Sequence, residues 1–308
     1  MSAFTVHLTA DNAYAIYTGT GRKVDSYWGK QIKLGPMETG KAEHVEIPVA
    51  SPFSFLYIAA WSDRAGNQGL RATVQCASWN SDALSGDATR WQVLPARSAF
   101  GNVLLDMEEP GKEPQPAAFS SRRGAELVTT FPVFDPVKLT GLLRNPRWER
   151  IAVEAGTEGL PSVAGVEGYW MWYNDGSQPS AFTPGHNHGE PLIFRALPDP
   201  TRGAPFPLDV KFKPDMPLPD MVNADFLALL DPMSYPESME NLEALEEFLR
   251  SCGTVTTEIR GAGDDLELSR RRARKIVNWL KSQGVDLPLS VEEHGVPRPG
   301  HGVEVTFW

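Results

Sequence analysis

Apolar and polar residues alternate in two rhythms along this chain, and the change between them divides it. Up to about residue 196 the period is two. Phe4-Thr5-Val6-His7-Leu8-Thr9 alternates and meets Asp11-Asn12, a turn pair, and Ala13-Tyr14-Ala15-Ile16-Tyr17 follows as a second strand. Val45-Glu46-Ile47-Pro48 predicts another strand. Residues 53–61 form the most apolar run and predict a central strand, whose neighbour across the loop 62–69 is Leu70-Arg71-Ala72-Thr73-Val74-Gln75. Strands are also expected at 91–94, 102–105, 169–173 and 191–195, with a loop at 108–114 and a short helix over 136–144. Short strands split by Gly, Asn, Asp and Pro predict an all-β sandwich, not a parallel α/β sheet.

The rhythm then breaks. Prolines at 198, 200, 205, 207, 214, 217 and 219 predict an extended linker over 197–221, within which Leu208-Asp209-Val210-Lys211-Phe212 alternates as a candidate first strand of the next domain. Beyond it the period becomes helical. Helices are expected over 223–230 and 236–250, and a strand around Ile259-Arg260-Gly261 leads into a third helix. There Leu268, Ala273, Ile276, Val277 and Leu280 make one apolar stripe, with Arg270, Arg271, Arg274, Lys275 and Lys281 largely off it. Asp264 or Asp265 is placed to cap that helix, and Gly284 to end it in a left-handed conformation. The expected division is a β-sandwich domain over 1–196, a linker over 197–221 and an α+β domain over 222–308.

The C-terminal stretch resembles the OmpA-like domain, a wall-binding module of bacterial envelope proteins. Leu268-Ser269-x-x-Arg272-Ala273 and Gly284-Val285 match at the family's spacing, and Gly261-Ala262-Gly263-Asp264 stands where the family has Gly-His-Thr-Asp. Residues 242–249 match the preceding helix, and 289–292 and 302–307 the last two strands. The resemblance implies a grip on the diaminopimelate carboxylate of peptidoglycan, with Asp264 as the turn acid. Where the family is expected to place an arginine before the last strand, this chain has Gly300-His301-Gly302. Asp264 and Arg272 are therefore carried as ligand candidates in a module expected to serve docking more than wall binding.

The first half resembles galactose-binding-like, jelly-roll sandwiches in the rhythm of Thr9-Ala10-Asp11-Asn12-x-Tyr14-x-x-Tyr17-x-Gly19 and of Tyr57-Ile58-Ala59-Ala60-Trp61-Ser62-Asp63. Sugar recognition needs planar polar partners and an aromatic face. Asp63, Arg64 and Asn67 supply the first, and Trp28 or Trp61 the second. The alternative is a hairpin loop with a core tryptophan. In Gly185-His186-Asn187-His188-Gly189-Glu190, alternation places His186, His188 and Glu190 on one side of an extended segment, as ligands for one divalent metal. The alternative is a polar turn.

A net charge of −10 counts against non-specific nucleic-acid binding. The arginine run at 270–274 reads as a solvated helix face. Cys76 and Cys252 read as two reduced thiols. No apolar run approaches a membrane span, and Met1-Ser2-Ala3-Phe4-Thr5-Val6 has no signal-peptide pattern, so the expectation is cytoplasmic synthesis and release as part of a particle. No P-loop, Gly-x-Ser-x-Gly or His-Glu-x-x-His motif occurs. The function expected is a non-enzymatic binding or structural component of a phage-tail-like or contractile injection assembly, partnered by other protein subunits. The alternatives are an envelope-associated lectin or peptidoglycan binder, and an accessory protein of a carbohydrate-active enzyme.

Overall fold

The computed structural model describes residues 2–11, 13–32, 41–49, 51, 53–61, 68–95, 148–153, 163–183, 192–203, 205–221, 224–251, 255–263, 265–286, 288–291 and 302–308. The chain is mostly β-sheet, with a smaller helical part towards the C-terminus, and it divides into two compact units, Met1–Pro198 and Asp199–Trp308.

The first unit holds two antiparallel six-stranded sheets. In one, β1 (Ser2–Asp11) lies between β4 (Glu43–Val49) at the edge and β6 (Gly69–Cys76), which also pairs β7 (Ala83–Leu84) and β11 (Met171–Trp172), and β11 in turn pairs β10 (Ala152–Val153). In the other the order is β3 (Val24–Ile32), β2 (Ala13–Gly19), β5 (Phe55–Trp61), β12 (Leu192–Ala196), β8 (Trp91–Pro95) and β9 (Glu149–Arg150). Alternation sets which side chains go in. Phe4, Val6, Leu8 and Ala10 of β1, Leu70, Ala72 and Val74 of β6, Leu56, Ile58 and Ala60 of β5, and Leu192, Phe194 and Ala196 of β12 meet in one buried cluster built from both sheets. Tyr14 of β2 reaches from one sheet to the other and donates its hydroxyl to Glu43 Oε2 of β4.

Two local expectations change. The strands flanking Asp11 are not a hairpin, because β1 and β2 belong to different sheets and pair with other strands. Likewise the strands on either side of residues 62–67 are not a hairpin: β5 pairs β2 and β12, while β6 pairs β1. A period of two says which face is apolar, not which strand lies alongside. Two strands facing one core from opposite sides have the same pattern as two neighbours. Residues 55–61 give a strand inside a sheet, and of the aromatic run at 169–173 only Met171 and Trp172 are strand; Trp170, Met171 and Trp172 are buried, while Tyr169 is exposed.

The second unit is a four-stranded sheet in the order β13 (Pro205–Leu208), β16 (Val303–Phe307), β14 (Thr257–Gly261), β15 (Leu289–Val291). The β14–β15 pair is parallel and the other pairs are antiparallel. Its helices are α1 (Phe226–Leu229), α2 (Tyr235–Ser251) and α3 (Leu266–Ser282), which crosses from β14 to β15. The proline-rich stretch from 199 on is part of this unit and not a free linker. Pro205 and Pro207 sit at alternate positions of an edge strand, where a missing N–H is tolerated. The segment expected to begin at Leu208 as a strand is where β13 ends; Val210 and Phe212 continue inward as core without a ladder, apart from a bridge between Phe212 and Leu230. The apolar stripe of α3 is buried as its spacing predicts, and the helix packs on β14 and β15 of the sheet and on α1. Among the described residues no helix is long and apolar enough to cross a membrane.

Candidate functional site

The α3 sequence carries a second stripe. Glu267, Arg271, Arg274, Lys275 and Asn278 recur at i, i+4, i+7, i+8 and i+11, so one face of the helix is polar and mostly cationic. That face is one wall of an open groove of about 310 Å³, and Pro217, Leu218, Pro219 and Met221 form the other. The proline-rich strip is held there by the helix itself. Arg271 Nε donates to the Pro217 carbonyl at 2.8 Å, and Lys275 Nζ donates to the Ala224 carbonyl at 3.1 Å. Among the described residues the terminal nitrogens of Arg271 have no hydrogen-bond partner. Arg274 is exposed and makes no hydrogen bond or ion pair with another described residue. Glu267 is engaged with Arg270 at 2.7 Å on the rim. A groove with three cations, one paired anion and an apolar lip of Leu218 and Met221 suits a ligand with a carboxylate or phosphate beside an apolar group.

Arg272, a ligand candidate on sequence, has a different place. It is 1% exposed. Its Nε donates to the Met216 carbonyl at 2.9 Å, one Nη to the Ala262 carbonyl and the other to the Lys213 carbonyl at 3.3 Å, with the guanidinium 5.3 Å from the centre of the Phe212 ring. The fork is spent on three backbone oxygens and joins the strip 213–216 to the turn after β14. The run 270–274 is therefore not uniformly solvated: Arg272 is in the core and Arg271 on the groove wall. Arg260, the other guanidinium of this region, lies 3.5 Å from Glu304.

The turn acid Asp264 lies outside the described residues, as does the 300–301 pair. So do Asp63, Arg64 and Asn67 of the expected sugar site, His186, His188 and Glu190 of the expected metal site, Cys252, and the strand, loop and helix expected over 102–144. Trp28 is described and is half-buried. Its indole packs against the core of the first unit, and its Nε1 donates to Thr18 Oγ1 at 2.8 Å. Cys76 is a buried free thiol beside Ser78. Among the described residues no group of three or more His, Cys, Asp or Glu converges on a common point to hold a metal.

The helical spacing of the sequence set these cations off the apolar stripe, where they read as a solvated face and not as a groove wall. It did not point to Pro217, Leu218, Pro219 and Met221, because nothing in a proline-rich strip says which helix face it will cover. Compared with protein-family models, with curated proteins and with solved structures, the chain matches none.

Proposed function

We propose that this is a non-enzymatic binding and structural protein: a galactose-binding-like β-sandwich followed by an OmpA-like module used for docking, working as a component of a phage-tail-like or contractile injection particle. The observation that carries this is the cationic groove between α3 and residues 217–221. It fits an acidic, partly apolar segment of another subunit, with Arg271 and Arg274 taking carboxylates and Leu218 and Met221 the apolar side chain. The order of helix, strand, capped helix and two further strands supports the OmpA-like reading, as does the Leu268-Ser269-x-x-Arg272-Ala273 segment lying at the start of the capped helix. Two buried-cluster sheets facing one core support the sandwich reading.

A second reading rests on the same groove, since a free carboxylate of a wall peptide carries the same charge as an acidic side chain. Co-sedimentation with purified sacculi separates the two. A docking module stays in the supernatant but co-migrates with a large assembly in a native lysate, and the paired substitution Arg271→Ala, Arg274→Ala releases it from that assembly. Pelleting with sacculi that is lost in the same variant would replace the docking reading with wall binding.

A further inference from the structure

On the outward face of the first unit, His7 of β1 and His44 of β4 are direct cross-strand partners. We propose that this pair is a two-histidine chelate for a borderline divalent cation such as Zn²⁺, Ni²⁺ or Cu²⁺, with the remaining coordination positions open to water or to a ligand from outside.

The geometry carries the proposal. His7 Nε2 and His44 Nδ1 lie 3.3 Å apart. Two nitrogens each about 2.0–2.1 Å from one tetrahedral zinc are separated by roughly that distance. The ring centroids are 4.6 Å apart, with the planes at 59°. Two rings meeting end-on at that nitrogen separation would stand further apart, so the rings are tilted off the N···N line and both nitrogens lie within reach of one ion beside it. The third feature is the support behind His44. Its Nε2 is 3.1 Å from Glu46 Oε1, and Thr5 Oγ1 donates to the same oxygen at 2.9 Å. A carboxylate on the far nitrogen fixes the tautomer, leaving Nδ1 as the lone pair, which is the arrangement that orients histidine ligands in metal sites. Glu46 stands behind His44 and does not converge with it, so the site is bidentate.

Side-chain exposures of 52% for His44 and 55% for Glu46 give a cation an open path. The other cross-strand neighbour of His7 is Thr73, which adds no charge against an incoming cation. Binding needs no redox change. His44 keeps its Nε2 proton on Glu46 and offers Nδ1; His7, which donates from Nε2 to that nitrogen before the cation arrives, shifts its proton to Nδ1 and offers Nε2; two coordinate bonds form and two metal-bound waters leave. The residues involved are distinct from the 186–190 segment, and the proposal is independent of the groove on α3.

The test is calorimetric titration of the untagged full-length protein with ZnCl₂ and NiCl₂, repeated on His7→Ala, His44→Ala, Glu46→Ala and the pair His186→Ala, His188→Ala. The expected result is one cation per chain, lost in His7→Ala and in His44→Ala, weakened about tenfold or more in Glu46→Ala, and kept in the 186/188 pair. Circular dichroism of each variant reports whether it is folded. Imidazole ¹⁵N spectra of the wild type give a second readout, in which Zn²⁺ moves the His7 Nε2 and His44 Nδ1 resonances. Zinc binding that survives His7→Ala and His44→Ala, or imidazole resonances that do not move in the wild type, overturns the assignment.

Discussion

Arg272 shows how much a single side chain can hold. Its guanidinium satisfies three carbonyls from two segments that have no ladder between them. Arg272→Ala removes the donor and leaves buried carbonyl acceptors behind, at a cost on the order of 1–3 kcal/mol for each one left unsatisfied. Urea unfolding followed by helical circular dichroism should show it. A residue kept only for ligand contact would leave the unfolding midpoint unchanged. Tyrosines of the first unit give a second residue-scale prediction. Burial holds the phenol of Tyr14 well above the usual tyrosine range, and the hydrogen bond and negative charge of Glu43 add to it; burial does the same for Tyr17. The folded state keeps these protons while the unfolded chain loses them above a pH of about 10. Stability from this source is therefore complete below pH 10 and falls as pH rises beyond it, by up to about 1.4 kcal/mol per pH unit for each phenol. Tyr14→Phe should flatten that decline, measured as unfolding free energy from pH 9 to 11.

For elements, the ends of α3 matter most, because this helix carries both the core stripe and the groove. Asp265 Oδ1 accepts from the Leu268 N–H at 2.7 Å, a side-chain N-cap, and Glu267 sits in the first turn. Asp265→Ala should cost about 1 kcal/mol and Asp265→Asn much less, read by thermal unfolding. At the other end Gly284 has φ +82°, and Val285 N–H returns to the Leu280 carbonyl at 3.1 Å. Gly261 answers to a different constraint, close approach. A Cβ there would stand 2.2 Å from the Ser269 carbonyl oxygen, so strand β14 meets α3 where only hydrogen fits. Gly261→Ala should therefore destabilise more than Gly284→Ala does, in the same thermal scan. An acidic cap at Asp264 or Asp265 and the Gly284 stop were legible because both are local: they depend on residues within one turn. The burden on Gly261 was not, since the atoms it would strike belong to a helix a turn later.

As a whole molecule, the chain is two units, each with a core of its own. The three described helices lie in the second unit, while every tryptophan except Trp279 and Trp308 belongs to the first. Helical circular dichroism and tryptophan fluorescence thus report largely different units. Under urea the two signals should not share one midpoint, and Arg272→Ala should move the helical signal alone. Coincident transitions in both proteins would mean that the units unfold as one. Charge belongs to this scale too. With a net charge of −10, the cations on α3 are a local exception, and partner binding through them should weaken as salt rises from about 50 to 500 mM, measured by native co-migration.

What the sequence determined by itself was local. The period of two gave β1, β2, β4, β5, β6, β8 and β12 of the first unit but not β3, and the 3.6 period gave α2, α3 and the buried stripe of α3, because a side chain's direction follows from its position along its own element. Tertiary structure decided the partners. It placed β1 and β2, and β5 and β6, in different sheets, made a proline-rich strip the wall of a groove, buried Arg272 among carbonyls and set His7 against His44. Each of these depends on which segments meet across long loops. That is set by the summed burial of two faces and the satisfaction of distant polar groups, and no window of neighbouring residues contains either quantity.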